Sequence, residues 1–574
     1  MAKVVLVCSR RAVDGRHNAS RIDELAKRLS PDNVTARSPL TAVDSHAAIG
    51  VLSPCASSPL EDMSAYVGHL VSSARSWKEP GGAVPEGAFA LFRVDARTIE
   101  LATDVVASRT IWYAETDDLF VASTSQRAIV SLLGSYRPNP ETVSWMLSSG
   151  TLGPGLSWDA RIRCLPGDSV LRFDRTSWTR SLRTREVTFD ALAVSDAQHE
   201  ATLKGVLEDT FRNVRLDPGT WRLALSGGTD SRALLLFLPT KAELRCVTWG
   251  VHDSPIDPGN DAYIAGALAK SFNLVHEFFA TDESGDAIDT VLNRFVVTGE
   301  GRIDHVSAYM DGLRMWSVFH DRGVAGILRG DEGFGWNAVT AVPDVRRCLD
   351  AFLLSDFPGI GDAASRGLAK QTWPASLDRR DGESLATWRD RLYHEFRIPV
   401  ILAALNDLKA PYVELANPLL SRSIIEYVRR LPDHLRTDKR LFRKIVHERG
   451  PRIGFAKRPA IADLGEVLKM RSVVEVMSRE LKSDRAMDVI PPELLDHVLR
   501  NVQADDRNGP GASRVHRTVV RMVPRSVKNV LRATIMKAHL HPNVLAFRAY
   551  LVSIMNRTLR SDARFGSTQS SEGG

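Results

Sequence analysis

The sequence has few cysteines, and their spacing fits neither a disulfide framework nor a zinc site. Only five Cys occur among 574 residues, and no two of them form a CxxC pair. A small disulfide-stabilised secreted protein and a structural zinc protein are therefore both disfavoured. We expect a reduced protein of the cytoplasm.

Long apolar runs are also missing. No stretch approaches the about 20 residues that a membrane helix needs, so we expect no membrane span. The apolar run at residues 4–8 is shorter than the about 7–15 residues of a secretory signal. A chain of 574 residues nevertheless exceeds what one hydrophobic core supports, so we expect two or more domains.

Excess charge of one sign is confined to the C-terminal part of the chain. The net charge is +6, and residues 501–574 alone hold 12 Lys and Arg against four Asp and Glu. Such a segment can attract an acidic peptide, a membrane surface or nucleic acid, but a solvated helix face is the simpler interpretation. The 11 Trp are scattered without a stacking platform, so we expect no nucleic-acid partner.

The hydrophobic pattern divides the chain into three parts. Short β-rich runs separated by polar turns fill residues 1–185, whereas strands alternate with helices from residue 197 onward. Strands of this second part are predicted at residues 223–225, 244–250, 276–280 and 324–330. Such alternation implies a parallel sheet that binds ligands at the carboxyl ends of its strands. We place domains at 1–185, 197–500 and 501–574, the last a basic helical extension with a disordered end.

The stretch WRLALSGGTDSRALLLFL, residues 221–238, joins an apolar strand to an apolar helix through a loop of small residues. Such a loop aims several backbone N–H groups at one point, where the helix dipole also favours an anion. No Lys follows the glycines as in a Walker loop, so pyrophosphate suits the loop better than a γ-phosphate. Phosphate would repel the carboxylate of Asp230 unless a cation lay between them, which indicates Mg²⁺. The candidate phosphate-binding residues are Ser226, Gly227, Gly228, Asp230 and Ser231.

Several motifs resemble one enzyme family. LSGGTDS resembles the pyrophosphatase loop of the ATP-dependent amide synthases, which include asparagine synthetase, β-lactam synthetase and the lasso-peptide cyclases. GVAGILRGDEGFGWN, residues 323–337, resembles the second acidic motif of that family. Residues 412–432 and 440–459 are similar to its acceptor segment and to its basic segment that closes over the adenylate. Residues 87–174 resemble its glutaminase-like domain.

The resemblance implies a fold and a set of ligands. The fold is an α+β N-terminal glutaminase-like (Ntn-type) β-sandwich domain, followed by an α/β parallel-sheet PP-loop ATP pyrophosphatase domain with a helical C-terminal part. The implied ligands are ATP and Mg²⁺, with Asp230 and Asp331 holding the metal. Val247 and Thr248, which leave the second strand of the parallel sheet, are candidate contacts to adenine.

The same resemblance suggests which side chains carry the chemistry. The basic segment offers Arg452 and Lys457, one of which is expected to neutralise the adenylate, and the sequence does not decide between them. Glu332 in the acidic motif is a further candidate catalytic residue. Glu414 survives in the acceptor segment, and Tyr309 is a candidate substitute for the catalytic Tyr of β-lactam synthetases.

The chain departs from the family pattern in ways that narrow its expected function. Ala2 stands where glutamine-using members expose a Cys, and Cys8 lies inside an apparent strand, where we expect a core residue. Leu328 stands where β-lactam synthetases have their catalytic Tyr. In the acceptor segment, Ala416 and Ser421 replace the usual Arg and Asp. Glutamine hydrolysis and β-lactam formation are therefore disfavoured, and a different, bulkier acceptor substrate is expected.

These observations favour a lasso-peptide cyclase, a macrolactam synthetase. The resemblance implies that it adenylates an Asp or Glu side chain of a leaderless precursor peptide. The N-terminal amine then closes an isopeptide ring, and AMP and pyrophosphate are released. A leader-peptide protease and a leader-binding protein are the implied partners. Three alternatives stay open: a β-lactam synthetase-like ligase, an asparagine synthetase-like ligase that uses ammonia or an amine, and a non-catalytic peptide- or nucleotide-binding scaffold.

Two further features have simpler explanations than a metal site. Asp261 begins a helix after the second strand, and an acid at that position is more often a helix cap than a metal ligand. His539 and His541 lack further Cys or His residues at a spacing that suits a metal, so we expect none there.

Overall fold

The computed structural model of the protein describes residues 3–12, 15–54, 59–71, 77–239, 243–357, 367–505 and 540–572. Ala2, His539 and the central part of the basic helical extension, residues 506–539, lie outside these ranges.

Two six-stranded antiparallel sheets form the first part of the chain. The first sheet contains, in spatial order, β10 (Arg163–Cys164), β8 (Trp112–Glu115), β9 (Leu119–Ser123), β1 (Lys3–Ser9), β3 (Ala47–Leu52) and β2 (Leu40–Val43). The second contains β12 (Thr179–Thr184), β11 (Ser169–Asp174), β7 (Thr98–Thr103), β6 (Gly87–Val94), β5 (Ser64–Leu70) and β4 (Leu60–Glu61).

A five-stranded parallel sheet follows. Its strands, in spatial order, are β15 (His276–Ala280), β14 (Arg245–Gly250), β13 (Trp221–Ala224), β16 (Gly326–Leu328) and β17 (Glu414–Ala416). The four strands predicted for this part correspond to β13–β16. The fifth, β17, has only three residues and lies within a region whose overall pattern is helical, which conceals it in the sequence. The expectation of antiparallel sheets followed by a parallel sheet and helices is confirmed at this level.

Helices surround the sheets. Those of the first half are α1 (Gly15–Leu29), α2 (Gln126–Leu133), α3 (Pro140–Ser149), α4 (Asp196–Asn213), α5 (Thr229–Phe237), α6 (Asp261–Ser271), α7 (Ile288–Thr298), α8 (Arg314–Asp321) and α9 (Val342–Arg347). Those of the second half are α10 (Leu385–Leu392), a π-helix (Tyr393–Leu402), α11 (Ala403–Asp407), α12 (Arg422–Val428), α13 (Asp433–Arg436), α14 (Arg440–Arg449), α15 (Leu464–Val467), α16 (Arg471–Leu481), α17 (Asp484–Met487), α18 (Pro492–Asn501) and α19 (Pro542–Glu572). Of the helices in the described ranges, none combines the length and apolar character of a membrane-spanning segment.

The two antiparallel sheets pack face to face because side chains alternate along their strands. In β1, Val4, Leu6 and Cys8 belong to the core between the sheets, whereas Val5 and Val7 pack with α1 and α2. Cys8 is 1% exposed, and burial raises the pKa of its thiol. The expectation that Cys8 is a core residue is therefore confirmed.

Apolar cores cover both faces of the parallel sheet. Leu223 and Leu328 pack with α4, α5 and α6, and Val247 and Ile327 pack with α7 and α8 on the opposite face. This arrangement buries the middle of the sheet and leaves the loops at the carboxyl ends of its strands to form a site.

The long helix α19 ties the C-terminal end of the chain to the rest of the structure. It packs on α2, α3, α7, α16 and α18. Its buried Asp562 forms ion pairs with Arg28 at 2.6 Å and with Arg127 at 2.8 Å. The C-terminal extension, for which a disordered end is expected, is helical to Glu572. Arg28 and Arg127, which are distant in sequence, pair with a charged side chain of this polar helix end.

Candidate functional site

The glycine loop lies at the carboxyl end of β13, where Leu225 leaves the sheet and α5 begins at Thr229. The hydroxyl oxygens of Ser226 and Ser231 are 2.8 Å apart, and the Ser226 N–H donates to the Ser231 Oγ at 2.9 Å. The Gly228 N–H donates to the Ser226 Oγ at 3.2 Å. The loop is thus closed on itself, and no side chain caps α5, so its first N–H groups can face an anion.

Other parts of the chain approach the loop closely at Gly227. A Cβ there would lie 2.8 Å from the Cβ of Ile264 and 2.8 Å from that of Ala456, so glycine is required. The Gly227 N–H donates to Asp261 Oδ1 at 2.9 Å, and burial raises the pKa of Asp261 although this bond opposes the shift. Asn260 caps α6, so the expectation that Asp261 is the cap is wrong. The carboxylate of Asp261 instead anchors the loop.

The acidic motif begins directly after β16, the strand next to β13. A Cβ on Gly330 would lie 2.8 Å from the carbonyl carbon of Asp230 and 2.9 Å from the backbone nitrogen of Ser231. Because Gly330 has no side chain, the two motifs touch backbone to backbone. Segments about 100 residues apart in sequence thus form one site, as parallel strands allow.

A cation that the sequence analysis did not select lies between the two motifs. The Nζ of Lys439 is 2.9 Å from Asp230 Oδ2 and 2.7 Å from Glu332 Oε1. Lys439 and its neighbour Asp438 both have left-handed backbone angles, with φ of 54° and 57°. This conformation costs non-glycine residues about 1–3 kcal/mol each and is typical of functional sites. The strained turn before α14 holds the lysine between the carboxylates.

The charge state of this cluster follows from its burial and its neighbours. Burial alone would lower the pKa of Lys439, but Glu332 and Asp230 outweigh it and raise that pKa. The Tyr393 hydroxyl donates to Glu332 Oε1 at 3.4 Å, and the Phe334 N–H donates to Glu332 Oε2 at 2.6 Å. Burial, and then the nearby carboxylates, hold the pKa of Tyr393 well above its ordinary value. The site therefore contains a charged lysine and a protonated tyrosine.

Asp331, the second predicted metal ligand, has different partners. Asn406 and Asn417 donate to its Oδ2 at 3.0 and 2.8 Å, and Arg329 donates to its Oδ1 at 3.2 Å. Burial would raise the pKa of Asp331, but Arg329 and Asn406 hold it below its ordinary value. Asp331 is therefore ionised. The structure brings Asp230 into contact with Lys439, which also contacts Glu332, whereas Asp331 contacts Arg329, Asn406 and Asn417.

Mg²⁺ is implied by the sequence, and the donor set can be tested against it. The described residues contain no cluster of three or more His, Cys, Asp or Glu side chains that could hold a metal ion. Mg²⁺ does not need one, because it usually binds one or two carboxylates together with substrate phosphates and water. The side chain of Asp230 is 31% exposed, and its two oxygens accept from a single group, the Lys439 Nζ, at 3.0 and 2.9 Å. Asp331 instead accepts from three protein side chains. The residues fit a magnesium ion that arrives with a nucleotide.

The predicted adenine contacts lie within the parallel sheet. Val247 is 1% exposed, and its carbonyl accepts a hydrogen bond from the Leu225 N–H at 2.9 Å. The Thr248 hydroxyl donates to the Leu225 carbonyl at 2.6 Å and pairs with His276 Nε2 at 2.8 Å. These two residues therefore support the base of the glycine loop.

Arg452 and Lys457 lie on the exposed segment that runs beside the loop. The Ala456 N–H donates to the Gly227 carbonyl at 3.0 Å, and the Lys457 N–H donates to the Gly259 carbonyl at 2.9 Å. Among the described residues, neither cationic side chain forms an ion pair, so both can turn toward a ligand. The backbone of this segment reaches the glycine loop at Ala456.

The two acceptor-side candidates do not reach the glycine loop. Glu414 begins β17 in register with Gly326, at the end of the strand opposite the acidic motif, and Arg109 donates to its Oε1 at 3.2 Å. Tyr309 is 4% exposed, and the Nζ of the buried Lys409 lies 5.6 Å from the centre of its ring. Both are interior residues.

Comparisons with known proteins give little further information. No protein-family model and no curated protein matches the sequence. Among solved structures, the chain is similar to glutamine phosphoribosylpyrophosphate amidotransferase from B. subtilis, complexed with ADP and GMP, at 10% identity and a TM-score of 0.20. The match covers 48% of this chain and 65% of that one, so the chain spans less than two thirds of that protein's length. A likeness of this size supports no statement about function.

Proposed function

We propose that the protein is an ATP-dependent, AMP-forming carbon–nitrogen ligase, and specifically a macrolactam synthetase of the lasso-peptide cyclase kind. The observation that carries the proposal is the junction of the glycine loop and the acidic motif, where Gly330 abuts Asp230 and Lys439 contacts both Asp230 and Glu332. Uncapped N–H groups, two hydroxyls, one accessible carboxylate and one fixed cation suit the pyrophosphate that leaves ATP.

In the proposed reaction, a carboxylate oxygen of a peptide Asp or Glu attacks the α-phosphorus of ATP, and the bond to pyrophosphate breaks. The N-terminal amine of the peptide then attacks the activated carbonyl carbon and loses a proton, and AMP leaves as the amide forms. The start of α5, Ser226 and Ser231 bind the pyrophosphate, and Lys439 offsets the charges of Asp230 and Glu332 beside it. Mg²⁺, held by Asp230 and phosphate oxygens, supplies further charge neutralisation when bound.

The proposal includes a finer description of the fold. The antiparallel sandwich is the glutaminase-like, Ntn-type domain, and the parallel sheet is the PP-loop pyrophosphatase domain. The order of the sheets along the chain and the glycine loop after central strand β13 support this description. Cys8 and Cys246 are buried, and burial raises the pKa of Cys164 and Cys348 to about 12. Because none of these thiols suits glutamine hydrolysis, we propose an amine as the nucleophile.

The remaining parts of the proposal rest on the sequence resemblance. They are a cytoplasmic enzyme, a leaderless precursor peptide as substrate, a leader-peptide protease and a leader-binding protein. Leu328, which is fully buried at the end of β16 where a β-lactam synthetase would have its Tyr, supports a peptide amine over a β-lactam precursor.

One observation favours a second candidate, an intramolecular ligase that works like a β-lactam synthetase. Such enzymes pair a Tyr with a Glu, and the Tyr393 hydroxyl lies 3.4 Å from Glu332 Oε1. The π-helix that begins at Tyr393 is a type of element that is frequent at functional sites. For this candidate, Tyr393→Phe should remove turnover, whereas a cyclase that needs only a weak base for a primary amine should retain most of it.

The proposal can be tested by following oxygen atoms. The protein is incubated with ATP, Mg²⁺ and peptides whose Asp or Glu carboxylates carry heavy oxygen. We expect one heavy oxygen in AMP for each ring closed, and a product lighter by one water. Asp230→Ala should abolish both products while leaving the circular dichroism spectrum unchanged. Heavy oxygen in inorganic phosphate, or ring closure without AMP, would contradict the proposal.

A further inference from the structure

A cavity of about 350 Å³ lies between the antiparallel sandwich and the π-helix. Its volume falls within the range of small-molecule sites, about 300–1,000 Å³. The wall is mostly apolar and includes Val105, Trp112, Leu152, Leu165, Leu377 and Val400. A second hollow shares Thr184 and Arg185 with it, and the side chain of Arg185 is 67% exposed. The cavity therefore adjoins the protein surface.

The charged groups on the wall already have protein partners. Arg302 forms an ion pair with Asp407 and donates to the Thr110 hydroxyl at 2.8 Å. Glu395 accepts a hydrogen bond from Arg391 at 2.9 Å. A charged ligand would find no free counter-charge in these groups, so the wall favours an uncharged occupant.

His394 forms the part of the wall nearest to the acidic motif. Its Nε2 donates to the Gly333 carbonyl at 2.9 Å, and its Nδ1 accepts from Arg429 at 3.3 Å. Burial lowers the pKa of His394 to about 3, which agrees with a neutral ring in this bonding pattern. Because Gly333 directly follows Glu332, one side chain separates the cavity from the acidic loop.

Trp112 presents only the apolar part of its ring to the cavity. The residue is 3% exposed, and its indole nitrogen is buried within the protein and does not face the cavity. An occupant with an apolar body therefore suits this part of the wall.

We infer that this cavity binds an uncharged, apolar stretch of the peptide substrate. That the peptide is the substrate rests on the proposed function. The glycine loop, the acidic motif and Lys439 present polar groups, which suit phosphates and a carboxylate. The apolar part of a peptide needs a separate binding site, and this cavity lies one side chain from the acidic motif.

Binding is measured by calorimetry with the tripeptide acetyl-Leu-Phe-Leu-amide. This probe has no carboxylate and no free amine, so it can be neither adenylated nor cyclised. We expect saturable binding, and no binding of acetyl-Ser-Asn-Ser-amide. Leu156→Trp and Val400→Trp, which fill the cavity, should each weaken binding at least about tenfold. Leu192→Trp, on an exposed residue outside the cavity, is the matched control and should change nothing.

The outcomes separate this inference from the proposed ligase. Thermal unfolding and Mg·ATP binding first confirm that each variant folds. The inference is overturned if the wild type does not bind the tripeptide, or if Leu156→Trp and Val400→Trp do not weaken that binding. Either result overturns it even if AMP is formed. The inference is also overturned if Leu156→Trp or Val400→Trp closes peptide rings with an unchanged KM for the peptide. Cavity-dependent binding without AMP from any peptide refutes the ligase while leaving a peptide site.

Discussion

The Nζ of Lys439 lies 2.7 Å from Oε1 of Glu332, a carboxylate whose side chain is only 3% exposed. Removing the lysine leaves that buried carboxylate beside Asp230 without a counter-charge. We expect Lys439→Met to lower pyrophosphate release about 10²–10³-fold, the size of effect that loss of one preorganised oxyanion-hole donor has in other enzymes. The free energy of unfolding should fall by about 1–3 kcal/mol, measured by urea denaturation.

A double variant separates the two effects of Lys439. Lys439→Met combined with Glu332→Gln removes the unpaired charge, so stability should return toward that of the wild type while turnover remains low. If Lys439→Met alone keeps full turnover, the lysine has no part in the nucleotide site. A stability loss without a turnover loss would make it a structural residue.

The contact between the two motifs predicts that Gly330 tolerates no side chain. The Cβ of Gly330→Ala would lie 2.8 Å from the carbonyl carbon of Asp230. Because that carbon belongs to the backbone, it could move away only if the loop itself were displaced. We expect loss of ATP binding, measured by calorimetry, in a protein that still folds. Gly205→Ala, within α4, meets no atom within 4 Å and is the control, with unchanged binding and equal or higher stability. Normal ATP binding by Gly330→Ala would contradict the proposed junction.

The anchor at Asp261 predicts different results for two substitutions. Its Oδ1 accepts the Gly227 N–H, a role that an amide oxygen can also fill. Asp261→Asn should therefore bind ATP almost as well as the wild type, whereas Asp261→Ala should bind it about tenfold more weakly because the Gly227 N–H loses its acceptor. Magnesium-dependent ATP titrations distinguish the cases. Equal losses in both variants would indicate that the charge itself is needed, as in a metal ligand.

The attachment of α19 predicts a pH dependence of stability. Asp304 Oδ2 accepts a hydrogen bond from Arg548 at 2.6 Å. Burial would raise the pKa of Asp304, but Arg548 and His305 outweigh it and lower it from 3.8 to about 2. A depressed pKa stabilises the folded protein above pH 3.8, and this contribution disappears as the pH falls toward 2.

Comparison with Asp304→Asn isolates that contribution. The wild type should be more stable than the variant at neutral pH by about 2 kcal/mol, and the difference should shrink as acid protonates Asp304. Urea denaturation at a series of pH values measures it. A difference that stays constant down to pH 2 would show that Asp304 is not stabilised as a carboxylate.

Sequence reasoning located the parts of the site that local chemistry specifies. The apolar runs around LSGGTDS predict a strand, a glycine loop and a helix, and β13 and α5 have that order. Gly227 follows the same logic, because it is needed where side chains from other segments approach the loop closely. The antiparallel strands and four of the five parallel strands also follow from their hydrophobic pattern.

The features of the site and fold that the sequence did not predict depend on contacts between segments distant in sequence. Lys439 immediately precedes the basic segment recognised in the sequence. Its position between two carboxylates depends on a left-handed turn, which a sequence without glycine does not predict. The position of Asp261 at the start of a helix predicts a cap, but in the structure Asn260 caps α6. The polar composition at the end of α19 predicts disorder, but in the structure Asp562 forms ion pairs with Arg28 and Arg127.

The central claim is that the glycine loop and Lys439 form a site for ATP that releases pyrophosphate. Calorimetric titration of the full chain with Mg·ATP, repeated in the presence of pyrophosphate, tests it most directly. We predict saturable binding that pyrophosphate displaces and that Asp230→Ala and Gly330→Ala both abolish, while Gly205→Ala retains it. Absence of ATP binding in the wild type, or binding that neither variant alters, would contradict the account.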